Sequence, residues 1–496
     1  HADALYNRGN ALLELARPEE ALASYDRALA VRPGHADTLY NRGNALMRLQ
    51  RLDDALESYD RALAIQPGLA VALVNRDHAL QGLKRREELV ENYRKLLGVA
   101  PDYPYMRGYL LRAQLDGCEW AEYDESVAEI TRGVREGRRS DSPFHFLAIS
   151  ESAPDQLRCA QICAADEYPA ASLPVWRGER YSHDRIRVAY LSADFHNHAV
   201  PFLIAGLLEA HDRTRFEITA LSLGPDRNDE MRARLMAAVD RFVDVRNESD
   251  LEVATLLREL EIDIAVDLQG YTLGCRPGIF SHRGAPVQVN YLGYPGTMGA
   301  GYMDYILSDR HVIPAEHGAS YSEKIVWLPD CYQVNDAKRR IAEHTPSRAE
   351  LGLPEGAFVF CCFNNNYKIA PRVFDLWMRL LGRVEGSVLW LLEDNQAAAR
   401  NLRLAAGPAG VAPERLVFAP RVKMEDHLAR QRRADLFLDT LPYNAHVTAS
   451  DALWAGLPVL TRQGGTFAGR VATSLLNAVG MPDLVTSTGE DYERLA

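Results

Sequence analysis

YNRGNAL at Tyr6–Leu12 returns as YNRGNAL at Tyr40–Leu46 and, decayed, as VNRDHAL at Val74–Leu80, a spacing of 34 residues. SYDRALA repeats in step at Ser24–Ala30 and Ser58–Ala64, and Pro33, Pro67 and Pro101 close three units. A period of this length with small residues at fixed offsets predicts two antiparallel helices per unit, stacked into a solenoid in which neighbours share a core. Gly9, Gly43, Ala21 and Ala55 let helices approach, Tyr25, Tyr59 and Tyr93 fill the gap, and each proline ends a second helix. Such a solenoid presents a concave groove to a partner.

The period fades after residue 101. Residues 102–184 keep helical patterning without the repeat, as in AEYDESVAEITRGVREG, and read as degenerate repeats turning into a docking region. From Arg185 the texture changes. IRVAYLS (Ile186–Ser192), FEITALS (Phe216–Ser222), RFVDV (Arg241–Val245) and IDIAVDL (Ile262–Leu268) alternate with helical segments, and VQVNYLG, YILS and KIVWL extend the series within residues 185–334. A polar linker, 335–355, separates these from a second series over 356–496: FVFCCFN (Phe358–Asn364), SVLWLLE, RLVFAP, ADLFLDT and LPVLTR. Apolar strand runs alternating with helices predict parallel sheets covered on both faces. Two series predict two Rossmann-like halves, with ligand bound in the cleft beyond the strands' carboxyl ends.

Composition narrows the function. At 496 residues there is room for about three domains. The net charge of −12 argues against a nucleic-acid or anionic-membrane partner. Seven cysteines without CxxC pairing point to a reducing interior rather than a disulfide framework. No apolar run reaches the ~18 residues of a membrane span and no signal peptide opens the chain, so the cytoplasm is the expected address. The chain begins at His1 without methionine and stops at Ala496 in a helix-like stretch, which reads as a piece of something longer.

The richest segment for chemistry is LDTLPYNAHVTASDALWAGLPVL. A buried strand ends at Asp439, a loop carries Asn444, Ala445 and His446, and Thr448 or Ser450 is positioned to N-cap a helix whose first turn holds Asp451. Free N–H donors and the positive dipole end of such a helix suit a phosphate, and Asp451 suits ribose hydroxyls; the plainer reading is an ordinary capped connection. FNNNYKI (Phe363–Ile369) puts Asn365, Tyr367 and Lys368 after the first strand of the same half, where a fixed ammonium can neutralise a diphosphate leaving group or be merely a surface charge. His427, in VKMEDHLARQ, is either a site residue or a helix-surface histidine. In the other half SADFHNHAVPFL places His196 and His198 in the loop after the first strand, where an imidazole can accept a proton. No third ligand stands at metal spacing and no DxD triplet occurs, so no metal and no cofactor is expected. GYPGTMGAGYMDY (Gly293–Tyr305) lacks both GxGxxG and the P-loop lysine.

Taken together, the 34-residue units followed by SADFHNH, QGYT (Gln269–Thr272), GYPGT, YSEK (Tyr321–Lys324), FNNNYKI, LDT…NAH…D and WAGLPV resemble the O-GlcNAc transferases. The resemblance covers nearly the whole chain. It implies an α/α tetratricopeptide solenoid followed by an α/β GT-B fold, and a metal-independent, inverting transfer of N-acetylglucosamine from UDP-GlcNAc to serine or threonine of a protein acceptor. By the same resemblance Lys368 stabilises the leaving diphosphate, His446 and Thr448 contact phosphate, Asp451 binds ribose, and His427 stacks on uracil. Thr297 contacts the sugar, with Asn365 and Tyr367 beside it in the donor site. His198 is the active-site histidine, whose role as base competes with an oxygen of the donor's own α-phosphate. Asn7, Asn41 and Asn75 resemble an asparagine ladder that grips the acceptor; their other reading is helix-to-helix bonding within the solenoid.

Departures from the pattern point elsewhere. The family's uridine-binding lysine aligns with Met424, with Lys423 one place early. Tyr443 stands where animal members carry a small cysteine near the acetamido group, which favours a narrower sugar pocket. The short linker resembles bacterial members. Two alternatives follow: a UDP-glucose-dependent protein glucosyltransferase with asparagine as one candidate acceptor, and a tetratricopeptide adaptor whose transferase half binds nucleotide with little turnover.

Overall fold

The computed structural model describes residues 1–496. The chain divides into two compact units, His1–Gln114 and Leu115–Ala496. The first contains helix pairs α1 (Ala2–Glu14) and α2 (Pro18–Val31), α3 (Ala36–Arg48) and α4 (Leu52–Ile65), α5 (Ala70–Gly82) and α6 (Arg86–Val99). Each second helix stops two residues before its proline, since the residue preceding proline is driven out of helical backbone. A methyl group added at Gly9 or Gly43 would run into the ring of Tyr25 or Tyr59. Those two rings are fully buried, and their hydroxyls donate to Asn10 and Asn44 at 2.8 Å each. The third unit reaches the same packing with other residues. Asp77 replaces the glycine and His78 the asparagine, so the Tyr93 hydroxyl donates to the Asp77 carboxylate instead, at 2.7 Å. Burial raises the Asp77 carboxyl, and the bonds from Tyr93 and Gln81 oppose that rise.

The boundary between the units falls in the last turn of α7 (Met106–Asp116), so the region 102–184 is divided rather than acting as one docking element. Its larger part, with α8 (Tyr123–Arg135), α9 (Pro143–Phe146) and α10 (Ala153–Glu167), belongs with the sheets. The side-chain amides of Asn395 and Asn401 donate to the carbonyls of Asp116 and Gly117 at 2.8 and 2.9 Å. The backbone N–H groups of Ala171, Val175 and Trp176 donate to Ser281, His282 and Arg283. The segment thus ties the rear half to the front.

The front sheet contains β1 (Ile186–Ser192), β2 (Phe216–Ser222), β3 (Arg241–Asp244), β4 (Ile264–Asp267), β5 (Val287–Asn290), β6 (Tyr305–Ser308) and β7 (Lys324–Trp327), in the order 3-2-1-4-5-6-7. The rear sheet contains β8 (Val359–Cys362), β9 (Val388–Leu392), β10 (Leu416–Ala419), β11 (Leu436–Leu438), β12 (Val459–Arg462) and β13 (Val485–Thr486), in the order 10-9-8-11-12-13. All pairings are parallel, with β1 registered Ile186 to Phe216 on one side and Val188 to Ile264 on the other. Central strands buried on both faces read as apolar runs, which is why they show in the sequence. The halves meet where the Ser474 hydroxyl donates to Asp309 at 2.6 Å and Phe467 packs edge-on against Tyr332 at 4.9 Å. No helix is long and apolar enough to cross a membrane.

Candidate functional site

Each sheet grows in one direction from its first strand and then in the other. The crevice at that reversal, beyond the carboxyl ends of the strands, is where doubly wound sheets bind ligands. In the rear sheet the reversal lies between β8 and β11, and it is flanked by the loops carrying Lys368 and Asn444–His446. Lys368 is only 8% exposed. Its ammonium donates to the Asn444 carbonyl at 2.8 Å and sits 3.8 Å from the centre of the Tyr443 ring, a cation–π contact. Asn364 links the same loops, donating to the Thr440 hydroxyl at 2.8 Å and accepting from that of Thr448. Asp439 organises the second loop by accepting the N–H groups of Thr440 and Ala445 and the Thr461 hydroxyl. Burial nonetheless pushes its carboxyl up to about 7.

The helix Val447–Ala455 starts at this crevice. Neither Thr448 nor Ser450 caps it: both lie inside its first turn, and His446 holds the N-cap position without a side-chain cap bond. The two hydroxyls go instead to the side-chain oxygens of Asn364 and Asn335. The helical ladder begins with the Ser450 N–H donating to the His446 carbonyl, so the amides before it lie outside the ladder. The imidazole of His446 donates through Nε2 to the Ala468 carbonyl at 3.0 Å. Burial, aided by the Lys368 charge, holds it well below the usual imidazole range, so the ring is neutral. Around Lys368 the rings of Tyr443, Tyr367 and Phe144 meet edge to face at 6.1–6.4 Å, with Phe144 supplied by α9.

Farther along the same face, His427 sits among arginines. Burial first, then Arg430, Arg339 and Arg421, press its imidazole down to about 3. It accepts from Arg430 at 2.9 Å and packs on the edge of Phe363. Lys423 is exposed, and Met424 lies against the Arg339 guanidinium, which also pairs with Asp451. Asp451 is therefore already engaged by a linker residue. Asn365 is exposed and accepts from Arg421 at 3.1 Å.

In the front half the reversal lies between β1 and β4. Gln269 joins the two loops, accepting from Ser192 and Ala193 and donating to Asp194 at 2.9 Å. Asp194 in turn stands 3.4 Å from Nδ1 of His198, whose side chain is 44% exposed. His196 is buried, and that burial lowers its imidazole. Thr297 is buried, with its hydroxyl donating to Glu323 at 2.5 Å. In the solenoid the amide of Asn41 donates to Tyr6 and Asn10, and that of Asn75 to Tyr40 and Asn44. These bonds run between neighbouring units, the plainer of the two readings of the ladder; Asn7 is exposed. No group of three or more His, Cys, Asp or Glu side chains is arranged to hold a metal. Sequence reading passes over Asn364, Phe144 and Arg339, because each meets partners far along the chain, 76 and 84 residues away for Asn364 and 112 for Arg339, with no local pattern to mark it.

The profile of glycosyl transferase family 41 matches residues 170–346 and 342–496, covering both sheets. The chain belongs to that family. A tetratricopeptide-repeat profile matches residues 6–70. Within family 41, the chain is 35% identical over 402 residues to a probable UDP-N-acetylglucosamine–peptide N-acetylglucosaminyltransferase, SEC, of Arabidopsis thaliana, covering 76% of this chain and 41% of the relative. It is 27% identical over 505 residues to the corresponding enzyme of Caenorhabditis elegans, covering 76% and 44%. The chain spans about two fifths of the length of these relatives. A solved O-GlcNAc transferase mutant of Thermobaculum terrenum aligns over 100% of this chain and 88% of its own, with 28% identity and a TM-score of 0.70. The helical repeats followed by two parallel-sheet halves match that structure, and the two sheet halves are consistent with a GT-B fold.

Proposed function

We propose that this chain is a metal-independent, inverting glycosyltransferase that moves N-acetylglucosamine from UDP-GlcNAc to serine or threonine hydroxyls of proteins held by the solenoid. The observation that carries the reading is the buried ammonium of Lys368, fixed between the two loops at the rear sheet's reversal and beside the start of the helix Val447–Ala455. The acceptor hydroxyl displaces the diphosphate at the anomeric carbon. Charge grows on the departing phosphate as the sugar becomes oxocarbenium-like. A preorganised ammonium and unbonded helix amides meet that charge without reorganising, which is where such groups lower a barrier most. The neutral imidazole of His446 supplies a dipole there, and Asp451 and the His427 ring take the ribose and uracil. His198, held by Asp194, stands on the front loop as the protein's candidate proton acceptor, and the donor's α-phosphate is the competing one.

One observation favours a second donor. The Tyr443 ring packs against Lys368, Tyr367 and Phe144 and thickens the wall beside the sugar position, which suits UDP-glucose over a sugar bearing an acetamido group. Incubation of the protein with a cell lysate and a panel of UDP-sugars, with and without EDTA, decides between them by product mass. An N-acetylhexosamine increment on Ser or Thr, unaffected by EDTA, is expected. A hexose increment would replace the donor assignment, and nucleotide binding without any transfer would reduce the protein to an adaptor.

A further inference from the structure

Arg339 belongs to the bridge between the halves, 112 residues before the Asp451 it pairs with. Both side chains are almost fully enclosed, 3% and 4% exposed. The Trp454 indole donates to the Arg339 carbonyl at 3.3 Å, and Nη2 of Arg339 also reaches the Met424 sulfur at 3.5 Å. A bridge residue thus sits between two helices of the rear half, Met424–Gln431 and Val447–Ala455.

An enclosed ion pair stabilises a fold only when the remaining donors of the desolvated guanidinium also find acceptors. Those of Arg339 do not: Nε and Nη1 are buried without an acceptor. As a fastening of the bridge this is a poor arrangement, and buried donors left without an acceptor call for a reason beyond stability. The pair's other property is electrostatic. Burial raises the Asp451 carboxyl, and the charge that opposes this is that of Arg339. Arg339 acts on His427 as well, together with Arg430 and Arg421; the neighbouring helix also carries Glu425 and Asp426 in its exposed first turn.

Resting on the UDP-sugar reading, we propose that Arg339 is a positioning residue of the nucleotide site, holding the Asp451 carboxylate in the ion pair and orientation in which it accepts ribose hydroxyls. The connection between the halves then takes part in nucleotide recognition. Met424 contributes no charge there; the guanidinium lying against its sulfur does.

Calorimetric titration of UDP from pH 5.5 to 8 tests this with R339M, R339K and D451N, each compared with wild type at the same pH and checked by thermal unfolding. R339M is expected to bind about 10-fold more weakly at pH 6, the loss expected for one charged hydrogen bond. Without Arg339 the buried carboxyl stays raised, so the deficit is greatest at low pH and shrinks as rising pH ionises Asp451. R339K restores most of the affinity, and D451N is weak by a constant factor. An R339M deficit of the same size at every pH, or none, overturns the role of Arg339. If R339M fails to fold, R339Q, which removes the charge but keeps a polar side chain, is titrated in its place, and a constant deficit or none overturns the role equally. Wild-type protein that ignores UDP overturns the nucleotide reading itself.

Discussion

The two halves set a buried acid at the same place and use it differently. Asp267 ends β4 and Asp439 follows β11, each on the strand beside the first. Asp267 accepts the N–H groups of Gln269 and Gly270, at 2.8 and 3.1 Å. Asp439 accepts those of Thr440 and Ala445 together with the Thr461 hydroxyl. Burial lifts the two carboxyls to about 6 and about 7. Each acid pins the loop that follows it, and the loops then diverge. In front a neutral amide, Gln269, spans the reversal and leaves His198 near solvent beside Asp194. In the rear an ammonium spans it and is enclosed. Strand order fixes where the crevice lies; both reversals are spanned by a neutral amide, Gln269 in front and Asn364 in the rear, and only the rear adds an ammonium.

The sharpest way to break this contrast is to remove each bridging chemistry in turn. Lys368→Ala should lower kcat by about 10²–10³, the cost of losing one preorganised donor to a developing anion. Thermal stability and UDP-independent folding should be retained. His198→Ala should cost about 10²-fold, the low end of what a positioned acid–base group contributes. Single-turnover rates with a fixed UDP-sugar separate the two. Turnover near wild type in Lys368→Ala would remove the rear cation from the chemistry and with it the asymmetry between the halves.

A smaller effect concerns the acids themselves. The folded-state carboxyl of Asp439 lies above its unfolded value, so its contribution to stability is full below about pH 4 and is lost as pH rises through about 7. Asp439→Asn keeps the acceptor for Thr440 and Ala445, and its amide donates to the Thr461 hydroxyl. The variant should therefore flatten the decline in Tm between pH 6 and 8.5, by roughly 2 °C in a unit of this size. A variant whose decline matches wild type would show that Asp439 is already ionised, with Lys368 as its counter-ion.

These contrasts differ in how far the sequence announces them. The strands are legible because buried parallel strands must be apolar throughout: VFCC and VLWLL have no exposed residue. The two-residue strand β13 is too short to carry a pattern. The solenoid is legible through its period, including its failure at Asp77 and His78, which the structure resolves as a rewired Tyr93 hydroxyl. Loop residues such as Lys368 and His446 are legible as strand-end neighbours. Their partners are not. The Lys368 ammonium meets a carbonyl 76 residues away, and the hydroxyls of Thr448 and Ser450 leave a predicted cap for asparagines 84 and 115 residues distant. Propensity places a hydroxyl at a helix start; only the fold decides which neighbour outcompetes the backbone.

The smallest expected effect is at His427, and it tests whether the rear crevice reads a base by its ring face or by charge. Burial and the flanking arginines press this imidazole down to about 3, so on the proposed UDP-sugar reading it acts as an aromatic surface rather than as a charge. His427→Phe should then hold UDP affinity within about threefold, whereas His427→Ala should lose ~10-fold, in line with alanine substitution of a side chain stacked on a base. The ratio of either variant to wild type should not change between pH 5 and 8. Two results would count against this. Loss of binding in both variants would mean that the ring serves chiefly as the acceptor for Arg430, at 2.9 Å and 3.2 Å, and that the arginine reads the base. Unchanged binding in His427→Ala would return the residue to an ordinary helix-surface role and leave the rear half with phosphate and ribose contacts alone.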